Sequence, residues 1–259
     1  MMESDMTCKG FQYEIGKEYS LEGELQICEN GFHFCENPFD CLKYYDNIKG
    51  DKRLFLVEAL GEVITMRNKS VTNKIKIVEK IKDIEKFFDE NINNFEVTYY
   101  NLMCNQKLSE SFIEKHFDKV NWDNISMYQK LSKSFIEKHK DKVNWDYISI
   151  YQKLSEKFIE KYCNKVDWYW ISRYQILSEE FIEKYIDKVD WYCISGGQKL
   201  SEEFIDKHSD KIDWYWISKY QTLSEKFIEK YSDKIYWEYI SIYQTLSEEF
   251  RKKHNDKLL

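Results

Sequence analysis

Tryptophans stand at Trp122, Trp145, Trp168, Trp191, Trp214 and Trp237, separated by one constant interval of twenty-three positions. Leucines keep the same interval through Leu108, Leu131, Leu154, Leu177, Leu200, Leu223 and Leu246. Spacing this strict marks a repeat architecture, in which one unit cannot bury its apolar face alone and copies stack to do so. The unit reads Leu-Ser-Glu-x-Phe-Ile-Glu-Lys-(His/Tyr)-x-Asp-Lys-(Val/Ile)-(Asn/Asp)-Trp-x-x-Ile-Ser-x-Tyr-Gln-x and holds two helix starts. In the third copy Ser155 suits an N-cap, with Leu154 before it and Ile159 at the fourth helical position forming a hydrophobic staple. Asp167 repeats that grammar with Val166 and Ile171, so each copy is an αα-hairpin. Phe158, Ile159, Tyr162 and Val166 form one inward stripe, and Trp168, Ile171 and Tyr174 the other. The expected fold class is an α+β N-terminal domain followed by an all-α solenoid of 23-residue helix-turn-helix repeats.

The N-terminal domain announces itself by its turns. Six of the eight glycines (Gly10, Gly16, Gly23, Gly31, Gly50 and Gly61) and the single proline, Pro38, fall no later than Gly61. Strand-like runs lie in this part of the chain: Phe32-His33-Phe34, Leu54 to Val57, Val63 to Met66, and Ile75 to Val78. Asp40 to Tyr45 has the apolar spacing of a short helix. Residues 1–80 therefore read as a small α+β domain. Residues 81–107 read as a degenerate capping repeat, because Val97-Thr98-Tyr99-x-x-Leu102 with Gln106 aligns one repeat length before Val120-Asn121-Trp122-x-x-Ile125 with Gln129. Residues 108–245 are six full repeats. Residues 246–259 are a capping half-repeat, with Arg251 in place of the isoleucine.

With 42% hydrophobic and 33% charged residues, the chain can bury a core. A formal net charge of −7 argues against a dedicated nucleic-acid binder, which needs a basic domain. There is no apolar run long enough to span a bilayer, and the N-terminus lacks the order of a signal peptide, so the expectation is a soluble intracellular protein without a membrane partner. Seven cysteines, an odd number in a chain of this length, read as reduced thiols.

Positions that vary between copies should face solvent. Tyr169, Trp170, Tyr192, Tyr215, Trp216 and Tyr239 stand where other copies carry Asp123, Asn124, Asp146 or Glu238. Tyr169, Trp170, Tyr192, Tyr215 and Trp216 are the expected partner-binding row. Lys161 and Lys165 belong to a basic row beside the acidic row of Glu160, and the two neutralise each other. Ser172 and Gln175 recur and should bond to backbone at hairpin junctions. The fourth copy reads Ser195-Gly196-Gly197-Gln198, which is either drift with a loosened turn or a hinge or pocket. Glycine's helix cost of about 1 kcal/mol would make it the weakest copy. Near the N-terminus, Cys8, Cys28, His33, Cys35 and Cys41 raise a zinc site, yet none forms a Cys-x-x-Cys pair. His33 and Cys35 share one face of a strand, which suits joint ligation and core packing alike. A Cys-His catalytic pair lacks an orienting third group. No cofactor is assigned.

Lys9-Gly10-Phe11-Gln12-Tyr13, Gly16-Lys17-x-Tyr19, and Cys28-x-x-Gly31-Phe32-His33-x-Cys35 with Pro38 and Tyr44-Tyr45 resemble a small domain of unknown function. It is found at the N-termini of phage, prophage and giant-virus proteins, and the likeness covers roughly residues 5–80. The Leu-Ser-Glu-x-Phe-Ile repeats look like those of large DNA viruses and phages. Both resemblances imply a viral protein placed in the host cytoplasm. A second likeness runs through Gly31-Phe32-His33-Phe34 and Leu56 to Gly61, which are similar in order to the NAD-binding core of ADP-ribosyltransferases. That family has a His-Gly pair where this chain has Lys9-Gly10 and a tyrosine where it has His33; its catalytic glutamate has no counterpart here. The likeness implies a nucleotide-like ligand near Lys9, Gly10 and His33. The leading expectation is a non-enzymatic viral accessory protein whose solenoid engages a host or viral protein. An ADP-ribosyltransferase-like or nucleotide-sequestering protein, with the repeats selecting the target, is the alternative, and a structural virion component a third.

Overall fold

The computed structural model describes residues 2, 6–8, 10–38, 40–43, 54–91 and 99–258. It divides into two compact units, residues 1–135 and 136–259.

The first unit begins with short antiparallel strands. β1 (Thr7–Cys8) pairs with β2 (Phe11–Gln12). A three-stranded sheet orders β3 (Glu18–Ser20), β8 (Lys74–Lys80) and β5 (Phe55–Ala59), and a second orders β4 (Phe32–Phe34), β7 (Lys69–Thr72) and β6 (Val63–Met66). Only Asn73 separates β7 from β8, so one run of chain forms the centre of both sheets. Asn73 Oδ1 accepts the Glu62 N–H at this corner. Alternation on β8 turns Ile75 and Ile77 inward, and Val71, Phe32, Leu54 and Phe55 are buried with them. Gly31 is forced by this core: it has φ +119°, and a Cβ there would stand 2.3 Å from Val71 Cγ2.

All four runs read as strands are strands. β7 was not legible, because Ser70 and Thr72 are polar yet buried beside Val71. Their hydroxyls are satisfied locally, Ser70 Oγ with Thr65 Oγ1 at 2.9 Å and Thr72 Oγ1 donating to the Lys74 carbonyl at 3.0 Å. The expected helix over Asp40 to Tyr45 is a 3-10 helix at Asp40–Lys43, and Tyr44 and Tyr45 lie outside the described residues.

The helices of the first unit are α1 (Ile84–Asn91), α2 (Tyr99–Asn105), α3 (Glu110–Lys115) and α4 (Trp122–Tyr128), while α5 (Lys133–Lys138) runs across the unit boundary. Phe88, Leu102, Met103, Phe112, Ile113 and Ile125 form their core. Val97 and Thr98, used in the alignment of the capping repeat, lie outside the described residues.

The second unit alternates two kinds of short helix. First helices are α7 (Glu156–Lys161), α9 (Glu179–Lys184), α11 (Glu202–Lys207), α13 (Glu225–Lys230) and α15 (Glu248–Lys253). Second helices are α6 (Trp145–Tyr151), α8 (Trp168–Tyr174), α10 (Trp191–Gly197), α12 (Trp214–Tyr220) and α14 (Trp237–Tyr243), packed one on the next. Helices this short do not hold alone in water. Here they are capped and packed. Ser178 Oγ accepts the Phe181 N–H and Asp167 Oδ1 the Trp170 N–H, and Asp190, Ser201, Asp213 and Ser224 repeat these bonds. Ser155, expected as a cap, and Tyr236 stand at the N-cap positions of α7 and α14 without a side-chain cap bond. Ile159, Ile171, Ile182 and Ile194 are fully buried.

From Gln175 to Gln244 a glutamine clamps one hairpin to the one before. Gln175 Nε2 donates to the carbonyls of Ser149 at 2.8 Å and Gln152 at 2.9 Å, and its Oε1 accepts the Leu154 N–H at 2.9 Å. Ser172 Oγ donates to the Trp168 carbonyl and accepts the Asp190 N–H. These are the junction bonds that the recurring Ser and Gln foretold. The solenoid-like stack is thus joined by apolar ridges and a buried polar seam.

Two expectations need correction. Tyr174, read as inward, is 50% exposed. The chain leaves α8 at Gln175, whose amide takes the buried place, and the tyrosine is left on the rim. The repeating tryptophans are half-buried, and from Trp145 to Trp237 each indole N–H donates back over the hairpin turn, as Trp168 Nε1 does to the Cys163 carbonyl at 2.9 Å.

Candidate functional site

The cysteines and the histidine singled out near the N-terminus fall around one cavity of about 440 Å³. Phe32, Phe34, Leu54, Phe55, Ile75 and Ile77 line it, with Cys8, Cys28, His33, Cys35, Cys41 and Lys69. His33 Nε2 accepts the Cys28 N–H at 2.7 Å, which places the proton of a neutral ring on Nδ1. Lys69 Nζ lies 3.5 Å from Cys28 Sγ. Cys35 donates a hydrogen bond to Cys41, drawing that thiol down to about 7 and pushing its own pKa up. Although Cys8, Cys28, His33 and Cys35 share the cavity wall, no group of three or more His, Cys, Asp or Glu side chains among the described residues is arranged to hold a metal. All seven cysteines are free thiols. Of the residues assigned to a nucleotide-like ligand, His33 lines the cavity, Gly10 lies in an exposed turn with φ +79°, and Lys9 is outside the described residues.

The second unit offers a surface with a stronger pattern. Its exposed large apolar residues are Tyr151, Tyr169, Tyr174, Ile176, Tyr192, Tyr220, Tyr236, Ile242 and Tyr243. Every one belongs to a second helix or to the residues flanking it; none lies on a first helix. Of the five rings expected to form a binding row, Tyr169 and Tyr192 are exposed, while Trp170, Tyr215 and Trp216 are half-buried. Trp170 stacks on Tyr174 with centroids 5.6 Å apart, and Trp216 on Tyr220 at 5.4 Å. Tyr215 meets Tyr239 edge-on at 4.9 Å, and their hydroxyls bond at 3.0 Å. The row is a packed aromatic pavement with its outer tyrosines in water.

Two cations lie on this pavement. Arg173 donates to the Tyr169 hydroxyl at 2.9 Å and covers the Tyr174 ring. Lys219 Nζ lies 5.4 to 5.8 Å from the rings of Tyr215, Trp216, Tyr220 and Tyr239. Among the described residues neither has a carboxylate partner. Their charges lie against ring quadrupoles.

The fourth copy interrupts the pavement without breaking the helix. α10 continues through Gly197, Ile194 and Ser195 stay fully buried, and Gln198 keeps its bonds to the Ser172 and Gln175 carbonyls. The turn is therefore not loosened. What is missing is side chain: Cys193, Gly196 and Gly197 stand where the next copy has Trp216, Lys219 and Tyr220. Cys193 is buried, which pushes its thiol up to about 11. Trp216 leans over Gly196, where a Cβ would meet its ring at 3.3 Å. Its indole N–H is buried without an acceptor, unlike that of Trp214, which donates to the Ser209 carbonyl.

Sequence reasoning missed Tyr174, Tyr220 and Ile176. The tyrosines recur in most copies and so looked like core. Ile176 did carry a signal: it stands 85% exposed where neighbouring copies place Lys153, Lys199 or Thr222.

The first helices present the opposite surface chemistry. Lys161 pairs with Glu137 at 2.8 Å, Lys207 with Glu183 at 2.6 Å and Lys253 with Glu229 at 2.7 Å, while Lys184 pairs with Glu160 and Lys230 with Asp206. Each lysine reaches the acid of the preceding copy. Those carboxylates are spoken for: Lys207 and then His208 hold Glu183 below the usual carboxylate range, and Lys230 and then Tyr231 do so for Asp206.

A family model described as a domain of unknown function (DUF7666) matches residues 1–90. No curated protein and no solved structure matches the chain. Among the described residues no helix is long and apolar enough to cross a membrane.

Proposed function

We propose that this chain is a protein-binding scaffold, with the second-helix face of residues 136–259 as its contact surface. The carrying observation is the segregation of exposed apolar side chains onto that face and off the other. Clustered exposed tyrosine and tryptophan cost solubility, and such residues are the usual anchors of interfaces. The partner is a host or viral protein and the role that of a viral accessory factor, supported by the resemblance of residues 5–80 and of the repeats to phage and giant-virus proteins. The domain at residues 1–90, of unknown function, adds a separate recognition module in this reading.

The test compares the two faces in the full chain. Affinity capture from host cells should be abolished by combining Tyr169→Ser, Tyr174→Ser and Tyr220→Ser, with helical circular dichroism retained and the cooperative melting transition lowered by only several degrees. Reversing the first-helix ladder by Glu160→Lys with Lys184→Glu should leave capture intact. Capture that survives the tyrosine changes, or that fails with the ladder reversal, overturns the assignment. Exposed tyrosines are cleaner probes than Trp170 and Trp216, which are packed against neighbours.

A further inference from the structure

The interruption in the fourth copy has the form of a receptor. In α8 and α12 the pattern Trp-x-x-(Arg/Lys)-Tyr paves the surface with a stacked pair and a cation, whereas α10 offers Cys193, Gly196 and Gly197. The exposed backbone of Gly197 is the floor of a gap in the pavement, beside Gly196, which the Trp216 ring covers. Tyr174 bounds it in the preceding copy, and Trp216 with Tyr220 in the following one. Ile176 stands 85% exposed just beyond the end of α8. The cations of this face are Arg173, Lys199 and Lys219, none with a carboxylate partner among the described residues. Six carboxylates of these copies are already engaged. Asp167, Asp190 and Asp213 cap helices, and Glu156, Glu179 and Glu202 accept the N–H groups of Ser178, Ser201 and Ser224.

Resting on the binding face assigned above, we infer that this gap receives an acidic linear peptide: one large apolar side chain enters over Gly197, and flanking Asp or Glu residues pair with Arg173 and Lys219. One cation in the copy before the slot and one in the copy after it select such a segment by charge. They are too few for a phosphate backbone, which needs a basic lane along its length. With neighbouring helices about 8–10 Å apart, Arg173 and Lys219 are separated by two helix spacings, roughly 16–20 Å. An extended chain covers that distance in about five or six residues. The recognised pattern is therefore acid, a short spacer with a central aromatic or aliphatic residue, and acid again.

The experiment selects from a random dodecapeptide library displayed on yeast, using the full chain, and then titrates synthetic peptides by fluorescence anisotropy. The expected winners carry two acidic residues at that spacing around a large apolar one. Affinity should fall at least about tenfold, or 1.4 kcal/mol, with Arg173→Glu and Lys219→Glu combined, and again with Gly197→Tyr, which restores the ring that other copies have. Circular dichroism and melting of both variants check that the fold is intact; Gly197→Tyr places a consensus residue in a regular helix. Winners without acidic enrichment, no winners at all, or affinities untouched by both variants overturn the inference. So does tighter binding of a 20-nucleotide oligothymidine than of any peptide. Loss of binding only with the three tyrosine changes would leave the scaffold reading standing and remove the acidic slot. Indifference to every variant would remove both.

Discussion

The two faces of residues 136–259 are built from helices of almost equal length, in the same copies, yet they answer to different demands. On the first-helix face Lys and Glu or Asp alternate from copy to copy and neutralise each other, so that face is finished when the repeats have stacked. On the second-helix face the aromatic rings stack among themselves, Arg173 and Lys219 find no carboxylate among the described residues, and tyrosines remain in water. Nothing in the stack requires that. A repeat needs its inward isoleucines and its glutamine clamp; the charge ladder neutralises itself, and the pavement is left over for something else.

The sharpest way to break this comparison is to cut the seam from which both faces hang. Gln175→Ala removes three buried hydrogen bonds and strands the carbonyls of Ser149 and Gln152 and the Leu154 N–H, at about 1–3 kcal/mol for each unsatisfied group. Chemical denaturation should show it as the most damaging single change, and a loss below about 1 kcal/mol would mean that the seam is not structural. Next comes Trp168→Ala. Its ring is half-buried, meets Phe181 and Tyr185 and donates to the Cys163 carbonyl, so the loss should approach the low end of the roughly 3–5 kcal/mol range for buried tryptophan. Tyr174→Ser, on the rim of the same helix, should cost about 1 kcal/mol or less. Equal losses for the two would erase the distinction between inner ladder and outer pavement.

Gly197→Tyr should raise stability slightly, by up to about 0.5 kcal/mol, because glycine is the poorer helix former. A Cβ there comes 3.2 Å from the Arg173 carbonyl, a close approach at a position where Tyr151, Tyr174 and Tyr220 stand in other copies. A marked destabilisation would show that the neighbouring backbone does not give way. The smallest effect is reserved for the charge ladder. Lys207, Lys230 and Lys253 hold Glu183, Asp206 and Glu229 below the usual carboxylate range. Groups depressed in this way stabilise the fold above their unfolded pKa, and that contribution is lost as pH falls through the folded values. Melting should therefore decline gently from about pH 5 toward pH 3. Salt near 1 M should flatten that slope, since these pairs are exposed. A steep loss already near pH 6 would show that groups other than these carboxylates govern the acid limb.

Much of this was legible in the residues. A period held from Trp122 to Trp237 fixes the hairpin, because caps, staples and apolar spacing all agree within each copy. Ser172 and Gln175 were readable as junction residues for the same reason. The pavement was half legible. Variation between copies found Tyr169 and Tyr192, but recurrence hid Tyr174 and Tyr220, since a ring that recurs looks the same whether it fills a core or a rim. β7 was hidden because Ser70 and Thr72 break the apolar alternation that marks a strand.

By itself the sequence determined the repeat, its two helices, the buried isoleucines and most strands of the N-terminal region, because local periodicity and capping set these within a short stretch of chain. Only the tertiary structure decided which tyrosines stay in water, which lysine meets which acid, and that Gly197 interrupts the pavement without breaking a helix. Those outcomes depend on neighbours a full repeat or more away along the chain, whose side chains occupy or vacate the same space.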